Sequence, residues 1–283
     1  MKSNYSLLVC RLIEEMQLRN YSPRTVTSYS NHLTKLEKSL ELPLDQITLD
    51  QFKGFLHHRI NNDEVSVSFV NQSISAFKIL QMDVLGRNWE QFKIKRPRRE
   101  KKLPVVLSLK EVEKLIEATT NIKHKAIIML AYSSGLRRQE VQMIKPSAID
   151  SSRMQVHVVQ GKGKRDRYTI LSTKTLDILR IYYQLAKPTH YLFERQGSKG
   201  TSLSASTLHS IVKNSAARAE IKKRVCFHTL RHCFATHLLE QGVNLRLIQQ
   251  FLGHGSLKTT SRYLHLANVQ PSSIMSPLDA MKV

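Results

Sequence analysis

Over the first ninety or so positions, apolar residues return every three to four residues, the period of a helix that turns one face to a core. Val26, Tyr29, Leu33 and Leu36 follow Ser22-Pro23, a capping residue type with proline at the first helical position. Thr48-Leu49-Asp50-Gln51 has the form of a capping box and precedes Phe52, Phe55 and Leu56 on one face. A third apolar set runs through Phe69, Ile74, Phe77 and Leu80. These patterns predict a small all-helical domain over residues 1–94.

Further along, Ser108-Leu109-Lys110-Glu111 is another capping box, opening a helix through Val112, Leu115 and Ile116. A second helix is expected from about Lys123 to Tyr132, stopping near Ser133-Ser134-Gly135, and a third begins near Arg137. Met154, Val156 and Val158 alternate with Gln155 and His157, the period of a half-buried strand. The turn Gly161-Lys162-Gly163-Lys164 and a partner strand through Tyr168 and Ile170 complete a hairpin. From Thr173 onward the pattern returns to helical, so this hairpin is the only β element expected. The predicted class is mainly α with a small antiparallel sheet (α+β), and no internal repeat interrupts it.

A chain of 283 residues suits two domains. Its 41% hydrophobic content and mean hydropathy of -0.31 describe a chain that folds around a core, which excludes disordered and collagen-like classes. Charge changes the picture more: 44 Lys+Arg against 22 Asp+Glu give a formal +22. Residues 1–100 carry 15 basic and 11 acidic side chains, and residues 101–283 carry 29 and 11, so the excess lies in the second part. Such an imbalance points to a polyanionic partner. A membrane is the poorer partner, because the longest apolar run, Ala126 to Tyr132, falls far short of a spanning helix. Met1-Lys2-Ser3-Asn4 is soon followed by Arg11, Glu14 and Glu15, without the apolar stretch of a signal peptide. Cys10, Cys226 and Cys233 make no disulfide framework, so a reducing cytoplasm is the expected compartment. Between 93 and 102 stand Lys93, Lys95, Arg96, Arg98, Arg99, Lys101 and Lys102, with Pro97 inside and Pro104 just after. A self-repelling, proline-broken run reads as a linker, assigned to residues 95–107: either a solvated charge run or, as its place between two domains of a basic protein favours, cations lying on phosphate.

Four sets of residues carry chemistry. In Cys226-Phe227-His228-Thr229-Leu230-Arg231-His232, helical spacing puts His228, Arg231 and His232 on one face. With His237, Cys226 and Cys233 these suggest either a zinc site or a structural histidine cluster; H-E-x-x-H and C-x-x-C spacings are absent, and an arginine between two histidines disfavours a cation. In the second set, Asn244 is positioned to cap a helix that Gly253 ends. His254 would then lie in a loop, and Ser256 would cap a further helix with Tyr263 about two turns along it. Third, Gly135-Leu136-Arg137-Arg138-Gln139-Glu140 sets an arginine at a helix start, where free N–H groups favour an anion. Fourth, Lys162 projects from a tight glycine turn.

Together these sets resemble the tyrosine recombinase (phage integrase) family, in particular the Xer recombinases and their relatives. The resemblance spans nearly the whole chain. It includes Tyr21-Ser22-Pro23-Arg24-Thr25, Leu103-Pro104 with Leu107-Ser108, and every motif in order, with 26 residues from His228 to His254 and nine from His254 to Tyr263. The ending Ser276-Pro277-Leu278-Asp279 is similar to that of integron integrases, although their inserted segment is not evident. The resemblance implies a helical core-binding domain and a catalytic domain over 108–267, closing as a C-shaped clamp on DNA, with a tail at 268–283 that docks on a neighbouring protomer. It implies site-specific recombination, in which DNA strands are cut and rejoined through a 3′-phosphotyrosyl intermediate. Tyr263 would be the nucleophile, since a phenolate can store the phosphodiester bond. Arg137 and Arg231 would hold the non-bridging oxygens, where planar guanidinium forks meet the charge that builds on phosphorus. Lys162 would protonate the departing 5′ oxygen, with Lys164 as its substitute. His228 would assist proton transfer at the nucleophile, His254 would hydrogen-bond the phosphoryl oxygen, and Glu140 and His232 would support them. Arg138 stands where the family carries an apolar or small residue, which leaves open which of the two arginines faces the phosphate. DNA contacts are expected from Arg24, Lys93, Lys95, Arg96, Arg98, Arg99, Lys101, Lys102, Lys164 and Arg165. No metal and no cofactor is implied. The implied partners are double-stranded DNA carrying a recombination site and a homotetramer, or a heterotetramer with a related recombinase, on two such sites. Competing readings are a type IB topoisomerase, a DNA-binding regulator without catalysis and a zinc nuclease.

Overall fold

In a computed structural model of the chain, residues 5–89, 94–97, 103–159 and 166–267 are described. The chain divides into two compact units, Met1–Lys101 and Lys102–Val283.

The first unit is built from α1 (Leu7–Leu18), α2 (Pro23–Leu40), α3 (Leu49–Asp63) and α4 (Val67–Ile79), the last continuing into a π-helical turn, Leu80–Val84. Ser22 Oγ accepts from Thr25 N, and Thr48 with Gln51 forms the reciprocal capping box, so the expected helix starts hold. Ser66 likewise caps α4. Helix α1 was not expected from the sequence; Ser6 makes no side-chain cap, and α1 is fixed by burying Val9, Leu12 and Met16. Phe52 and Phe77 stack at 4.1 Å between ring centroids at the centre of this core. Burying each ring contributes on the order of 2–3 kcal/mol.

In the second unit, α5 (Leu109–Glu117), α6 (Ile122–Ser133), α7 (Arg138–Met143), α8 (Thr173–Ala186), α9 (Ala205–Arg218), α10 (Phe227–Glu240), α11 (Leu245–Leu252) and the short α12 (Leu257–Thr260) are accompanied by a small antiparallel sheet, on which α11 packs. That sheet has the order β1 (Ile149–Asp150), β2 (Gln155–Val158), β3 (Arg167–Ile170), with Val156 opposite Thr169 and Val158 opposite Arg167. The Gly161–Lys164 turn between β2 and β3 lies outside the described residues. Helix α10 is buried on most of its sides, Thr229, Arg231, Thr236 and His237 included, and forms the spine: it packs on α6, α9 and α11. The chain enters this unit tied to the same helix, since Leu107 N donates to Cys233 Sγ and Leu107 O bonds His237 Nε2 at 2.9 Å.

Three expectations need correction. The helical pattern after Thr173 is broken by a second hairpin, β4 (Glu194–Arg195) with β5 (Ser198–Ser202). Its residues are too polar to show an apolar alternation, and the Glu194 carboxylate, bonded to Thr189 N and His190 N, organises the approach to it instead. Ser256 makes no side-chain cap. Helix α12 also ends at Thr260, so Tyr263 stands in a 3₁₀ turn, Ser261–Tyr263, rather than on a continuing α-helix.

Candidate active site

Gly135, at φ +60°, turns the chain between α6 and α7, and a side chain there would meet the Phe234 ring at 2.3 Å. The close approach of this bare backbone to α10 lets Arg231, 3% exposed, donate through Nη1 to Gly135 O at 2.7 Å. Two residues on, Arg137 precedes α7. Glu140, in the first turn of that helix, caps the free Arg137 N–H at 2.7 Å and pairs with Arg137 Nη1 at 2.7 Å. Arg231 Nη1 lies 4.0 Å from the same carboxylate.

A third guanidinium joins them. Arg167 Nη1 and Nη2 fork onto the two Glu140 oxygens, each at 2.7 Å. Burial opposes the Glu140 charge, but the Arg167 fork and the Arg137 N–H hold its carboxyl down at about 2.

The end of α11 supplies the other half of the frame. The last carbonyls of a helix have no partner inside it and carry the negative end of its dipole, which suits cations. Three consecutive carbonyls are used in this way: Phe251 O accepts from Arg167 Nε at 2.8 Å, Leu252 O from Arg231 Nη2, and Gly253 O from Arg137 Nη2 at 3.2 Å. Gly253 ends the helix at φ +61°, as its sequence position predicts. His254 follows, its Nδ1 bonded to Thr260 Oγ1 at 2.9 Å.

Tyr263 is 2% exposed, and its hydroxyl bonds His232 Nδ1 at 3.0 Å. The His254 ring lies parallel to the phenol, 6.5 Å away between centroids. Burial and the charges of Arg262, His228 and Arg231 push His232 down to about 4, and burial with Arg231, Arg137, Arg167 and Arg262 pushes His254 to about 3. Both imidazoles are therefore neutral at pH 7. Burial raises the Tyr263 phenol against the pull of Arg231, Arg262 and Arg137. Burial and the neighbouring Arg137 charge lower Arg231 to about 9, which leaves it cationic.

Of the residues singled out in the sequence, the fold brings Arg137, Glu140, Arg231, His232, His254 and Tyr263 together. His228 stays solvent-exposed on α10, and the imidazole on the phenol is that of His232. Between the two neighbouring arginines, Arg137 joins the cluster, and both line a cleft with His209 and His228. His237 turns away to Tyr132 Oη and Leu107 O, and Cys233 takes Leu107 N, so these two histidine-cluster members serve the core. Among the described residues no group of His, Cys, Asp and Glu is placed to hold a metal ion. Lys162, Lys164 and Arg165, and Lys93, Arg98, Arg99, Lys101 and Lys102, lie outside the described residues. Arg24 and Lys95 are exposed in the first unit, whereas Arg96 is bonded to Asn71 O and Ser75 Oγ, both at 3.0 Å. Arg167 was not anticipated, although one signal was available. It is in phase with Thr169 on the inward face of β3, and a charge in a buried strand position requires a buried counter-ion.

Clustered guanidinium groups beside a phenol suit a site for a phosphate ester. Residues 105–269 match the phage integrase family and residues 8–91 its N-terminal SAM-like domain. The chain is 32% identical over 262 residues to a tyrosine recombinase of Thermosipho africanus, covering 89% of this chain and 92% of that one. It is 31% identical over 269 residues to the tyrosine recombinase XerA of Pyrococcus horikoshii, covering 93% and 92%. Its fold is that of a lambda integrase solved as a tetramer bound to a Holliday junction, with a TM-score of 0.71 at 18% identity over 90% of this chain and 76% of that one. The chain belongs to the phage integrase family of tyrosine recombinases and is a site-specific DNA recombinase. No helix among the described residues is long and apolar enough to cross a membrane.

Proposed function

We propose that Tyr263 is the nucleophile, attacking a DNA phosphodiester while Arg137 and Arg231 hold its non-bridging oxygens. A bond forms between Tyr263 Oη and phosphorus as the bond to the 5′ oxygen breaks, leaving a 3′-phosphotyrosine and a free 5′ hydroxyl once a proton arrives. Lys162, between β2 and β3 in the sequence, supplies that proton. The phenol's own proton has an acceptor at 3.0 Å in the neutral imidazole of His232, and His228, exposed beside it on α10, relays it to water. His254 holds a phosphoryl oxygen. Because Tyr263 is 2% exposed, attack includes a shift of its 3₁₀ turn that carries Oη to the phosphate. The observation that supports this reading best is the convergence of Arg137 and Arg231 on one carboxylate and on consecutive carbonyls immediately before His254.

Exchange between two duplexes takes four cleavages, so four copies, alike or paired with a related recombinase, act on two copies of a specific site. The basic linker residues and the exposed Arg24 and Lys95 follow the DNA backbone, giving affinity without reading sequence. These steps take place in the cytoplasm and need no metal or cofactor, since the cations are side chains.

The test uses a pool of random-sequence duplexes incubated with the protein in EDTA, denatured in detergent and assayed for DNA joined to protein. Wild type is expected to give an adduct whose sequencing reveals the site, and Tyr263→Phe to bind DNA but give none. An adduct retained by Tyr263→Phe, or loss of the wild-type adduct in EDTA, overturns the assignment.

A further inference from the structure

The third arginine of the cluster has no part in the chemistry just described, yet it is the best anchored. Arg167 is held by three hydrogen bonds, two to the Glu140 carboxylate and one to Phe251 O, and its side chain is 8% exposed. A guanidinium with its donors so occupied has little left for a phosphate. What it touches is more telling. Glu140 is the residue that orients Arg137, and Phe251 opens the run of three carbonyls on which Arg231 and Arg137 rest. The Arg167 side chain also packs on Gly253, where an added Cβ would stand 2.7 Å from Arg167 Cδ, so it bears on the residue that directs the chain into His254. Finally, Arg167 sits opposite Val158 in the β2–β3 ladder, at the end of the ladder nearest in sequence to Lys162, five positions earlier.

A buried ion pair is weak evidence of added stability, because desolvating both charges offsets their attraction. Geometry is the better explanation: a fork fixes the plane of the carboxylate, which a single point charge does not. We propose that Arg167 is a positioning residue for strand cleavage. Through Glu140 and the end of α11, it sets where the Arg137 and Arg231 guanidinium groups and His254 stand, without touching the phosphate itself. The proposal rests on the assignment of those residues to the scissile phosphate.

The experiment compares wild type with Arg167→Lys, Arg167→Gln, Glu140→Gln and the double variant Glu140→Gln/Arg167→Gln, on a duplex recovered from the adduct selection. DNA affinity by mobility shift and the single-turnover cleavage rate at saturating protein are read separately. Affinity should stay within about threefold while the rate falls about 100-fold in Arg167→Gln, the scale of an ångström-sized misplacement. Arg167→Lys keeps the charge without the fork and should remain at least about 10-fold slow. The double variant should be no slower than the slower single one, because both act through one carboxylate. Without DNA, NMR titration of the His254 ring should move up toward ordinary histidine values in Arg167→Gln. Rates within about twofold of wild type in both Arg167 variants, losses that add in the double variant, or affinity falling in step with rate would each overturn the proposal. Should Arg167→Gln fail to fold by circular dichroism, Arg167→Lys decides. Should the wild-type protein give no adduct on any duplex, the reading of the site fails, and the His254 titration still judges Arg167: an unchanged curve overturns it.

Discussion

Lowering the pH from 7.5 to 5.5 tests the electrostatics of the site without DNA or substitution. His232 and His254 are pushed to about 4 and about 3 in the folded protein, by burial first and then by the surrounding cations. In the unfolded chain both return to about 6.5. Folding therefore favours the neutral imidazoles: their contribution is complete above pH ~6.5 and is lost as pH falls from there toward the folded values, because only the unfolded chain takes up the protons. Each group costs about 1.4 kcal/mol per pH unit in that interval, so the pair together costs about 2–3 kcal/mol at pH 5.5. Glu140, held at about 2, acts in the same direction only below its unfolded value of 4.5 and stays silent here. Urea denaturation should be followed by far-UV circular dichroism, since the single tryptophan, Trp89, belongs to the first unit. The transition of the second unit should move to lower urea at pH 5.5, and the His232→Gln/His254→Gln variant should lose less, the remainder coming from His124 and His228, which burial also lowers. A wild-type midpoint that does not move between pH 7.5 and 5.5, or a double variant as acid-sensitive as wild type, refutes the burial of neutral imidazoles beside the arginines.

Two further outcomes are expected. Gly135→Ala combines a left-handed backbone with a collision against Phe234 and should lower stability by about 2–5 kcal/mol in a thermal or urea scan. Adding Phe234→Leu should recover the steric part only, and a Gly135→Ala protein as stable as wild type would show that the Gly135 carbonyl, the acceptor of Arg231, has no such constraint. DNA affinity should fall steeply with salt, with a log–log slope of about -5 or steeper for six or more neutralised phosphates, and a flat dependence contradicts backbone-following cations.

Much of this fold could be read from local signals in the chain. Ser22, Thr48 and Ser108 announce their helices because a cap is a contact within four residues, complete in the sequence itself. The β2–β3 hairpin shows through its alternation of Val156 and Val158 with polar neighbours. What was not legible depends on distant partners. Helix α1 has no cap and exists by docking on α2, and β4–β5 is a polar ribbon whose order comes from Glu194. The family pattern brought Arg137, Arg231, His254 and Tyr263 to attention, yet their frame was hidden. The three carbonyls at the end of α11 carry no side-chain signature, and the partnership of Arg167 with Glu140 spans 27 residues. The pairing of Tyr263 with His232 rather than His228 likewise depends on the 3₁₀ turn, which Ser256 and the spacing to Tyr263 did not foretell.

The carboxylate between the arginines also sets a charge count. Glu140 and Arg167 cancel each other, and both imidazoles are neutral, so the carbonyls at the end of α11 hold the positive surplus of Arg137 and Arg231, with the charge of Arg262 close by. A phosphodiester brings a single negative charge to such a pair. When the phenol oxygen adds to phosphorus, the non-bridging oxygens gather a second. On the proposed assignment, this cationic frame meets more negative charge at the pentacoordinate stage than in bound DNA, so its attraction is strongest for the species at the top of the barrier. Arginine is suited to this because it does not shed its proton to relieve the surplus beforehand. Under that proposal, the end of one short helix decides both where the phosphate lies and at which moment of the reaction it is held most tightly.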